Sequence, residues 1–387
     1  MKILAIETSC DETAVAVVEA EGEIGNASFS VLGNALFSQI EIHKEYGGVF
    51  PALAKREHGK NLVPILRAAL TEANLLHANY EPLIEEQKHN IEKLLEREGE
   101  LAFQLIEFLE EVEVPKVDAI AVTHGPGLEP TLWVGINFAR ALSGAWSASR
   151  RIPIVPVNHM EGHILSSVFF EEKIKDVPLP AIALLISGGH TELVLMKDWL
   201  SYELIGETQD DAVGEAFDKV ARMMELPYPG GPEISKLAES AREKSAQLDT
   251  PLPRPMLHSD DCNFSFSGLK TAVLYALKKT ELTQDEKEKF AREFEDAVSD
   301  VLIKKTKSAI EETGAKALII GGGVAANKEI RKRFENEVAE IKLYLPDVSL
   351  TGDNAVMIAL AGFFRYKNGD TALPGAIVAD GTLKLPS

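Results

Sequence analysis

The chain has 387 residues, a formal net charge of −20, and 45% hydrophobic and 26% charged residues. Its length predicts two domains or two lobes of one fold. Its composition is that of a soluble globular protein, and no apolar run approaches the roughly 18 residues of a membrane helix, so we expect no membrane contact. The negative charge argues against a broad nucleic-acid-binding surface, but it leaves room for a local basic groove or a basic partner subunit.

The N-terminus and the cysteines predict a cytoplasmic protein. The stretch "MKILAIETSCDET" has one lysine, a short apolar segment and then acids, whereas a secretory signal carries a longer apolar region and a small-residue cleavage site. Cys10 and Cys262 are the only cysteines, so no disulfide framework is expected. A reducing cytosol is the simplest location for such a chain.

Two similar stretches indicate an internal duplication. "KILAIETSCDETAVAVVEA" predicts two strands around a polar turn, and "PAIALLISGGHTELVLMKD" repeats that pattern in the second half of the chain. Such turns can cradle phosphate, because consecutive backbone N–H groups form an anion-binding nest. We therefore expect two related lobes that face a nucleotide cleft; the alternative is two unrelated hairpins with glycine and serine turns.

The other segments alternate between strands and helices. Strands are predicted in "VDAIAVTHG", "RIPIVPV", "AKALIIG" and "IKLYLPD". Helices are predicted in "TLWVGINFARALSGAW", after the glycines of "GGGVAANKEIRKRF", and in "DNAVMIALAGFFRY". This alternation indicates an α/β protein with a largely parallel or mixed sheet.

The acidic segment from about Asn79 to Val112 departs from this alternation. Its leucines and isoleucines recur at three-to-four spacing, which predicts helices with one packed stripe. Asn79 is a candidate helix cap, Pro82 fits a first helical turn, and Gly99 is the candidate break of a helical hairpin. We expect a solvated helical insertion, with a partner-docking helix as the alternative.

The motif "VNHMEGHIL" contains a candidate metal site. His159 and His163 are four residues apart and share one face of a helix, while Asn158 and Glu161 fit a capping box at its start. A zinc-protease motif needs its glutamate directly after the first histidine, where this chain has Met160. The spacing therefore favours a different metal site, or two ordinary histidines, over a protease.

Asp353 is the best candidate for a third ligand. In "LTGDNAVMIAL" it follows a predicted strand and a glycine and directly precedes an apolar helix, where capping that helix is its alternative role. Two neutral imidazoles and one carboxylate would leave a divalent metal with a net positive charge and open positions. Such a site is catalytic rather than structural.

The motifs of the chain, taken together, resemble one enzyme family. "ETSCDET", "GPGL", "NHMEGH", "ISGGHTEL", "GEAFDKVAR", "YPGGP", "FSFSGLKTAV", "GGGVAANKEIR" and "GDNAVMIA" occur in the order seen in tRNA N6-adenosine threonylcarbamoyltransferases, a family once described as O-sialoglycoprotein endopeptidases. The resemblance covers nearly the whole chain except about residues 76 to 114. The chain departs from the family pattern in that insertion and in "EPTLWVG", which follows "GPGL".

The resemblance implies a two-lobed actin/sugar-kinase/Hsp70-like (ASKHA) α/β fold, with duplicated lobes around a nucleotide cleft. The expected lobes are 1–158 with 347–387, including the insertion at about 79–112, and 159–346. The implied reaction moves the threonylcarbamoyl group of threonylcarbamoyl-AMP to N6 of the adenosine 3′-adjacent to the anticodon of ANN-decoding tRNAs. The implied partners are tRNA, an inactive paralogue subunit and a P-loop ATPase subunit.

The resemblance also implies the site residues. His159, His163 and Asp353 are the implied ligands of one divalent metal, Fe²⁺, with Zn²⁺ as the alternative. The residues implied to contact the adenylate are Leu185, Ile186, Ser187, Gly188, Gly189, Asp218, Gly231 and Asn327. Other roles remain open for three of them: a helix-surface pair with Arg222 for Asp218, a simple turn for Gly231, and a helix cap for Asn327.

Chemical reasoning is consistent with this reaction. The exocyclic amine of adenine is a poor nucleophile and needs an activated acyl donor, which a carbamoyl–phosphate anhydride provides. The turn of Ser187 to Gly189 can supply backbone N–H groups to phosphate or carbamoyl oxygens. Asp11 and Glu12 are candidate catalytic carboxylates that would accept the amine proton, or they only shape their loop.

Three other readings use the same fold. An O-carbamoyltransferase shares the histidine pair and an adenylate intermediate, but such enzymes carry additional domains. A sugar kinase or actin-like ATPase is disfavoured by the two histidines, because kinases hold Mg²⁺ mainly through carboxylates, water and phosphate. A non-catalytic scaffold is disfavoured by the intact metal triad.

Overall fold

The computed structural model describes residues 1–78, 82–146, 152–277 and 282–386, so Asn79, the predicted helix cap, lies outside the described residues. The chain divides into two compact units. The first unit comprises Met1–Ile42, Val49–Asp176 and Asp353–Leu385, and the second is mainly Val177–Gly352 with His43–Gly48. The lobes expected from the sequence, 1–158 with 347–387 and 159–346, remain a prediction.

The first unit is built on a mixed sheet whose strands have the order β5-β4-β1-β2-β3-β7-β6. Strand β1 pairs in antiparallel fashion with β2 and in parallel with β4, and β4 pairs in parallel with β5. The strands are β1 (Lys2–Glu7), β2 (Glu12–Glu21), β3 (Ser28–Ser38), β4 (Ala119–Gly125), β5 (Ile154–Asn158), β6 (Phe169–Phe170) and β7 (Lys173–Ile174).

The second unit repeats this topology in the order β10-β9-β8-β11-β12. Its central strand β8 again pairs in antiparallel fashion with the next strand and in parallel with β11, which pairs in parallel with β12. The internal duplication predicted from the two hairpins is therefore confirmed at the level of strand topology. The strands are β8 (Ala181–Ile186), β9 (Thr191–Asp198), β10 (Ser201–Glu207), β11 (Ala317–Gly321) and β12 (Lys342–Tyr344).

The helices are α1 (Ile40–His43), α2 (Pro51–Glu72), α3 (Glu85–Leu94), α4 (Gly99–Glu111), α5 (Glu129–Trp146), α6 (His159–Val168), α7 (Val213–Met223), α8 (Gly230–Glu243), α9 (Ser267–Leu277), α10 (Gln284–Thr313), α11 (Lys328–Glu337) and α12 (Ala355–Lys367). The helices predicted from the sequence are present as α3 to α6, α11 and α12, and the chain forms further helices for which no prediction was made. Each unit has its own apolar core, packed around β1 and β4 in the first unit and around β8 and β11 in the second. Within the described ranges, every helix is too short or too polar to cross a membrane.

The acidic insertion forms the helical hairpin predicted from its periodicity. Helix α3 ends at Leu94, and α4 begins at Gly99, the predicted break. The apolar stripe is buried in the core of the first unit with residues of α2 and α5, and its buried members are Ile91, Leu95, Leu101, Leu105, Phe108 and Leu109. The insertion is thus an integrated part of this core with a solvated acidic face.

Candidate metal centre and nucleotide cavity

The metal site begins at one edge of the first sheet. Strands β1, β4 and β5 are parallel neighbours, so their carboxyl ends meet at that edge. Strand β5 ends at Asn158, whose side chain accepts a hydrogen bond from the backbone N of Met160 at 2.9 Å and caps α6. The cap predicted from the sequence is confirmed, and it makes His159 the first residue of the helix at this edge.

The three predicted ligands lie together. Asp353 Oδ1 is 3.3 Å from His159 Nε2 and 3.2 Å from His163 Nε2. One ligand atom from each residue falls within 4.8 Å of the others, which is compact enough to hold a metal ion. The alternative role of Asp353 as a helix cap is wrong, because Asn354 caps α12 through a 2.9 Å hydrogen bond from the N of Met357.

His163 gives a test of whether these residues fit a metal. Its side chain is 0% exposed, and neither ring nitrogen makes a hydrogen bond within the described part of the chain. A buried polar atom without a partner is unfavourable by about 1–3 kcal/mol. A metal bound at Nε2, the nitrogen that faces Asp353, would give that atom a partner, so the donor set of two histidines and one carboxylate fits a divalent transition metal.

The charged groups of the site shift one another's pKa values. Burial alone lowers the pKa of His159, but the carboxylates of Asp353 and Glu7 outweigh burial and hold that pKa well above its ordinary value. Burial lowers the pKa of His163. Burial opposes ionisation of Asp353, yet the two imidazoles hold its pKa far below the usual value. The site is therefore arranged around an ionised carboxylate.

Two contacts bring α12, and with it Asp353, to the histidine helix. Gly162 lies between the two histidines in the sequence, and a Cβ built on it would meet Met357 Cγ at 3.0 Å, so glycine permits the close packing of α6 on α12. The buried Glu161 carboxylate accepts hydrogen bonds from Arg365 Nε and Nη2, each at 2.8 Å. The capping-box explanation of Glu161 therefore missed its main contact, which joins α6 to α12.

Sequence reasoning also missed Glu7. This fully buried residue ends β1, and its Oε2 lies 3.1 Å from His159 Nδ1. The same oxygen accepts a 2.6 Å hydrogen bond from Thr123 Oγ1 on β4. The sequence did contain a signal for this contact. Glu7 ends the central strand β1, and His159 directly follows β5, which runs parallel to it, so both residues lie at the same edge of the sheet.

The candidate catalytic carboxylates lie in the turn between β1 and β2. Asp11 is 8% exposed, and Glu12 begins β2 and accepts a 3.0 Å hydrogen bond from Ser38 Oγ. Burial, followed by the charges of Asp11 and Asp353, raises the pKa of Glu12 well above its ordinary value. A catalytic role for this pair stays a prediction.

The second unit contains a cavity of about 540 Å³. Four of the predicted adenylate contacts line it: Gly188, Asp218, Gly231 and Asn327. The side chains of Leu185 and Ile186 are completely buried in β8. Any contact of these two residues with a ligand would therefore use the backbone at the end of the strand.

The turn after β8 is partly closed on itself. Ser187 N donates to His190 O at 2.9 Å, and His190 N donates to Ser187 Oγ at 3.1 Å. The backbone N–H of Ser187 is therefore used within the turn, and the contact of this residue with the adenylate stays a prediction. The exposed peptide groups of the turn are those of Gly188 and Gly189.

Asp218 and Asn327 have structural partners at the cavity wall. Asp218 Oδ1 accepts a 2.7 Å hydrogen bond from Gly230 N at the start of α8. Asn327 caps α11 through the N of Ile330, as its alternative role proposed. The amide of Asn327 also donates to Ser235 Oγ at 2.8 Å and to Glu295 Oε1 at 2.7 Å. Sequence reasoning missed Ser235 and Glu295, because their link to Asn327 joins distant segments.

Comparison with known proteins identifies the family. The model of the family described as tRNA N6-adenosine threonylcarbamoyltransferase matches residues 30–80 and 100–360. The unmatched internal stretch is therefore 81–99, narrower than the 76–114 expected from the motifs, and the family model includes most of α4.

Curated relatives carry the same description. The protein named tRNA N6-adenosine threonylcarbamoyltransferase in Persephonella marina is 42% identical over 378 residues, covering 96% of this chain and 92% of its own length. The Bacillus subtilis protein of that name is 41% identical over 374 residues, covering 95% of this chain and 92% of its own length.

Among solved structures, HypF of T. kodakarensis aligns with a TM-score of 0.50 at 14% identity, covering 95% of this chain. The aligned region spans about half, 49%, of that HypF chain, and at this identity the likeness concerns the fold alone. The sequence matches, in contrast, extend over most of both partners at about 40% identity. The chain belongs to the tRNA N6-adenosine threonylcarbamoyltransferase family.

Proposed function

We propose that this chain transfers the threonylcarbamoyl group of threonylcarbamoyl-AMP to N6 of the adenosine 3′-adjacent to the anticodon of ANN-decoding tRNAs. The observation that carries the proposal is the convergence of His159, His163 and Asp353 within 4.8 Å in a chain of this family. A non-catalytic scaffold of the same fold would have no need for two buried imidazoles that face one carboxylate.

His159, His163 and Asp353 would hold one divalent metal, which we propose is Fe²⁺, with Zn²⁺ as the alternative. When bound, such a metal supplies a Lewis acid for an anionic oxygen of the donor. The protein's own part is to keep two imidazoles and one ionised carboxylate at fixed positions. The Asn158 cap and the α6–α12 contact supply that fixation.

The cavity of the second unit would hold the adenylate part of the donor. The exposed peptide groups of Gly188 and Gly189 suit phosphate or carbamoyl oxygens, because backbone N–H groups in a turn attract anions. The carboxylate of Asp218 suits ribose hydroxyls, and Gly231 leaves space for close approach of the sugar. Asn327, whose amide already binds Ser235 and Glu295, would act mainly by shaping the wall.

The repeated strand topology supports the two-lobed actin/sugar-kinase/Hsp70-like fold as the proposed fold class. In this proposal the enzyme works in the cytoplasm with tRNA, an inactive paralogue subunit and a P-loop ATPase subunit. Asp11 and Glu12 are the proposed proton acceptors for the attacking amine, and the position of a buried Asp11 beside a half-buried Glu12 at the start of β2 is compatible with that role.

The test is mass spectrometry of tRNA nucleosides from cells depleted of this protein and complemented with variants. We expect threonylcarbamoyladenosine to disappear on depletion and to return with the unaltered chain, but not with His163→Ala. Purified protein with its partners should restore the modification in vitro from threonylcarbamoyl-AMP. Undiminished threonylcarbamoyladenosine in depleted cells would refute the proposal, and a carbamoylated small molecule as the only product would favour an O-carbamoyltransferase.

A further inference from the structure

We infer that Glu7 is a positioning residue that orients His159 so that its Nε2 faces the metal. The inference deepens the proposed function and rests on its metal site. Glu7 touches neither of the other two proposed ligands through the contacts described above; it would act only through His159.

The geometry defines which nitrogen of His159 is available. Glu7 Oε2 lies 3.1 Å from Nδ1, while Nε2 on the other side of the ring lies 3.3 Å from Asp353 Oδ1. A carboxylate can only accept at that position, so it holds the proton on Nδ1. With the proton held on Nδ1, the nitrogen left to bind a metal is Nε2, which faces Asp353. Histidine ligands are commonly oriented in this way by a carboxylate on the other ring nitrogen.

Glu7 is itself rigidly held. Its Oε1 accepts a hydrogen bond from Ser9 N, and its Oε2 accepts one from Thr123 Oγ1. These donors come from the turn after β1 and from β4, and all three side chains are buried. Because these two hydrogen bonds hold the Glu7 carboxylate in place, the carboxylate in turn holds the His159 ring in one orientation.

The two histidines differ in this respect. In the residues that the structure describes, Nδ1 of His163 makes no hydrogen bond, whereas Nδ1 of His159 faces Glu7. His163 is oriented instead by complete burial within α6. Loss of Glu7 should therefore loosen one ligand of the site and leave the other in place, so metal binding should weaken without disappearing.

Metal titration of the purified, metal-free full chain tests the inference, with Zn²⁺ competed against a chromophoric chelator. We expect Glu7→Ala to weaken Zn²⁺ binding by about 10- to 100-fold, the range for partners of metal-ligating histidines. Glu7→Gln should lie between Glu7→Ala and the unaltered chain, because an amide oxygen still accepts from Nδ1–H but lacks the charge.

Two control variants separate orientation of His159 from stabilisation of the sheet. Thr123→Val removes one hydrogen bond to Glu7 but keeps the carboxylate at His159. Asp118→Asn alters another carboxylate contact of β1, the 2.7 Å bond from Lys2 N at the opposite end of the strand. Asp118→Asn should bind Zn²⁺ within a few-fold of the unaltered chain even if thermal unfolding shifts. Thr123→Val, which loosens Glu7 without removing its carboxylate, should weaken Zn²⁺ binding less than Glu7→Ala does.

A second measurement reads the ring directly. In the Zn²⁺-loaded chain, ¹³C shifts of the His159 ring, assigned by comparison with His159→Gln, should report coordination through Nε2. Coordination through Nδ1 would overturn the inference whether or not the Glu7 variants fold. Unchanged Zn²⁺ affinity in folded Glu7→Ala and Glu7→Gln would overturn it as well. Absence of Zn²⁺ binding by the unaltered chain would instead refute the metal site of the proposed function.

Discussion

In the first unit, the parallel strands β1, β4 and β5 end at an edge occupied by buried, charged side chains, Glu7 and the histidines of α6 among them. In the second unit, β8, β11 and β12 run in the same arrangement, but β8 and β11 lead into glycine-containing turns that line an open cavity. The same strand order thus supports a largely buried cluster of charged side chains in one unit and a surface of exposed peptide groups in the other.

The comparison separates two contributions to a site. The strand order decides where a site lies, because carboxyl ends of parallel strands leave their connections at one edge. The side chains decide what the site can bind. Where the groups are buried and interdependent, removing one leaves the others unpaired; where backbone and empty space form the site, only an added side chain should disturb it.

The largest expected effect follows from removing a member of the buried cluster. His159→Ala, His163→Ala and Asp353→Ala should each lower metal affinity by more than the roughly 10- to 100-fold effect of outer hydrogen-bonding partners. Metal analysis and tRNA modification assays on the three purified variants would measure this. Full metal occupancy in all three variants would show that these residues are not the metal ligands. It would also remove the contrast between a metal site in the first unit and a ligand cavity in the second.

Breaking the contact between α6 and α12 should come next. Glu161 is completely buried, and Glu161→Ala leaves the guanidinium of Arg365 without its bidentate partner. Loss of one partner of a buried ion pair reduces the free energy of unfolding by about 3–5 kcal/mol. Denaturant unfolding measures this change, and Lys197→Ala, which removes an exposed pair with Glu203, is the matched control. Equal changes in the two variants would contradict the expectation.

The insertion offers a test of how far the core of the first unit extends. Leu105 on α4 is completely buried, whereas Phe103 on the same helix is 63% exposed. Leu105→Ala should lower the free energy of unfolding by about 2–5 kcal/mol, while Phe103→Ala should change it by less than about 0.5 kcal/mol. Chemical denaturation measures the free energy of unfolding of both variants. A larger loss in Phe103→Ala than in Leu105→Ala would mean that α4 does not pack as described.

Metal content and adenylate affinity of a Glu100→Gln, Glu107→Gln variant, which removes two exposed charges of α4, address the function of the insertion. We predict that its solvated acidic face is dispensable for both sites, since like charges repel tRNA phosphate from it. Loss of tRNA modification with unchanged metal and adenylate binding would indicate that the acidic face contacts a partner subunit. Loss of metal or adenylate binding in the folded variant would refute the prediction.

The smallest effect on the fold, but a clear effect on ligand binding, is expected in the cavity. A Cβ built on Gly188 has open space around it, so Gly188→Val should fold normally. The added side chain should block the approach of an anionic ligand to the turn and weaken adenylate binding by about tenfold or more, equivalent to about 1.4 kcal/mol. Calorimetry measures this, with Gly375→Val, another glycine in open space, as the control. Unchanged affinity would exclude the turn from the site.

A contrasting glycine sharpens the same point. A Cβ on Gly214, at the start of α7, would meet Ser187 O at 2.6 Å. Gly214→Ala should therefore displace the turn itself, weakening adenylate binding together with stability. The pair of variants distinguishes a residue that leaves room for the ligand from one that positions the turn.

The sequence by itself determined the elements of this protein and several residues of its site. Apolar patterns predicted many of the strands and helices, and the four-residue spacing of His159 and His163 predicted their common helix face, because both signals depend on neighbours within a turn or a strand. The polar turns of the two hairpins also predicted the repeated topology. The motifs supplied the family.

Only the tertiary structure decided how these residues are held. Glu7 and His159 are 152 residues apart, and Glu161 and Arg365 are 204 apart. Neither contact leaves a local pattern, since each depends on which strands become neighbours and on how closely Gly162 lets two helices pack. The same holds for Asn327, whose cap was predictable from its position before a helix but whose amide partners were not. Local periodicity specifies an element and its buried face, whereas a hydrogen bond between distant elements is fixed only when both are packed.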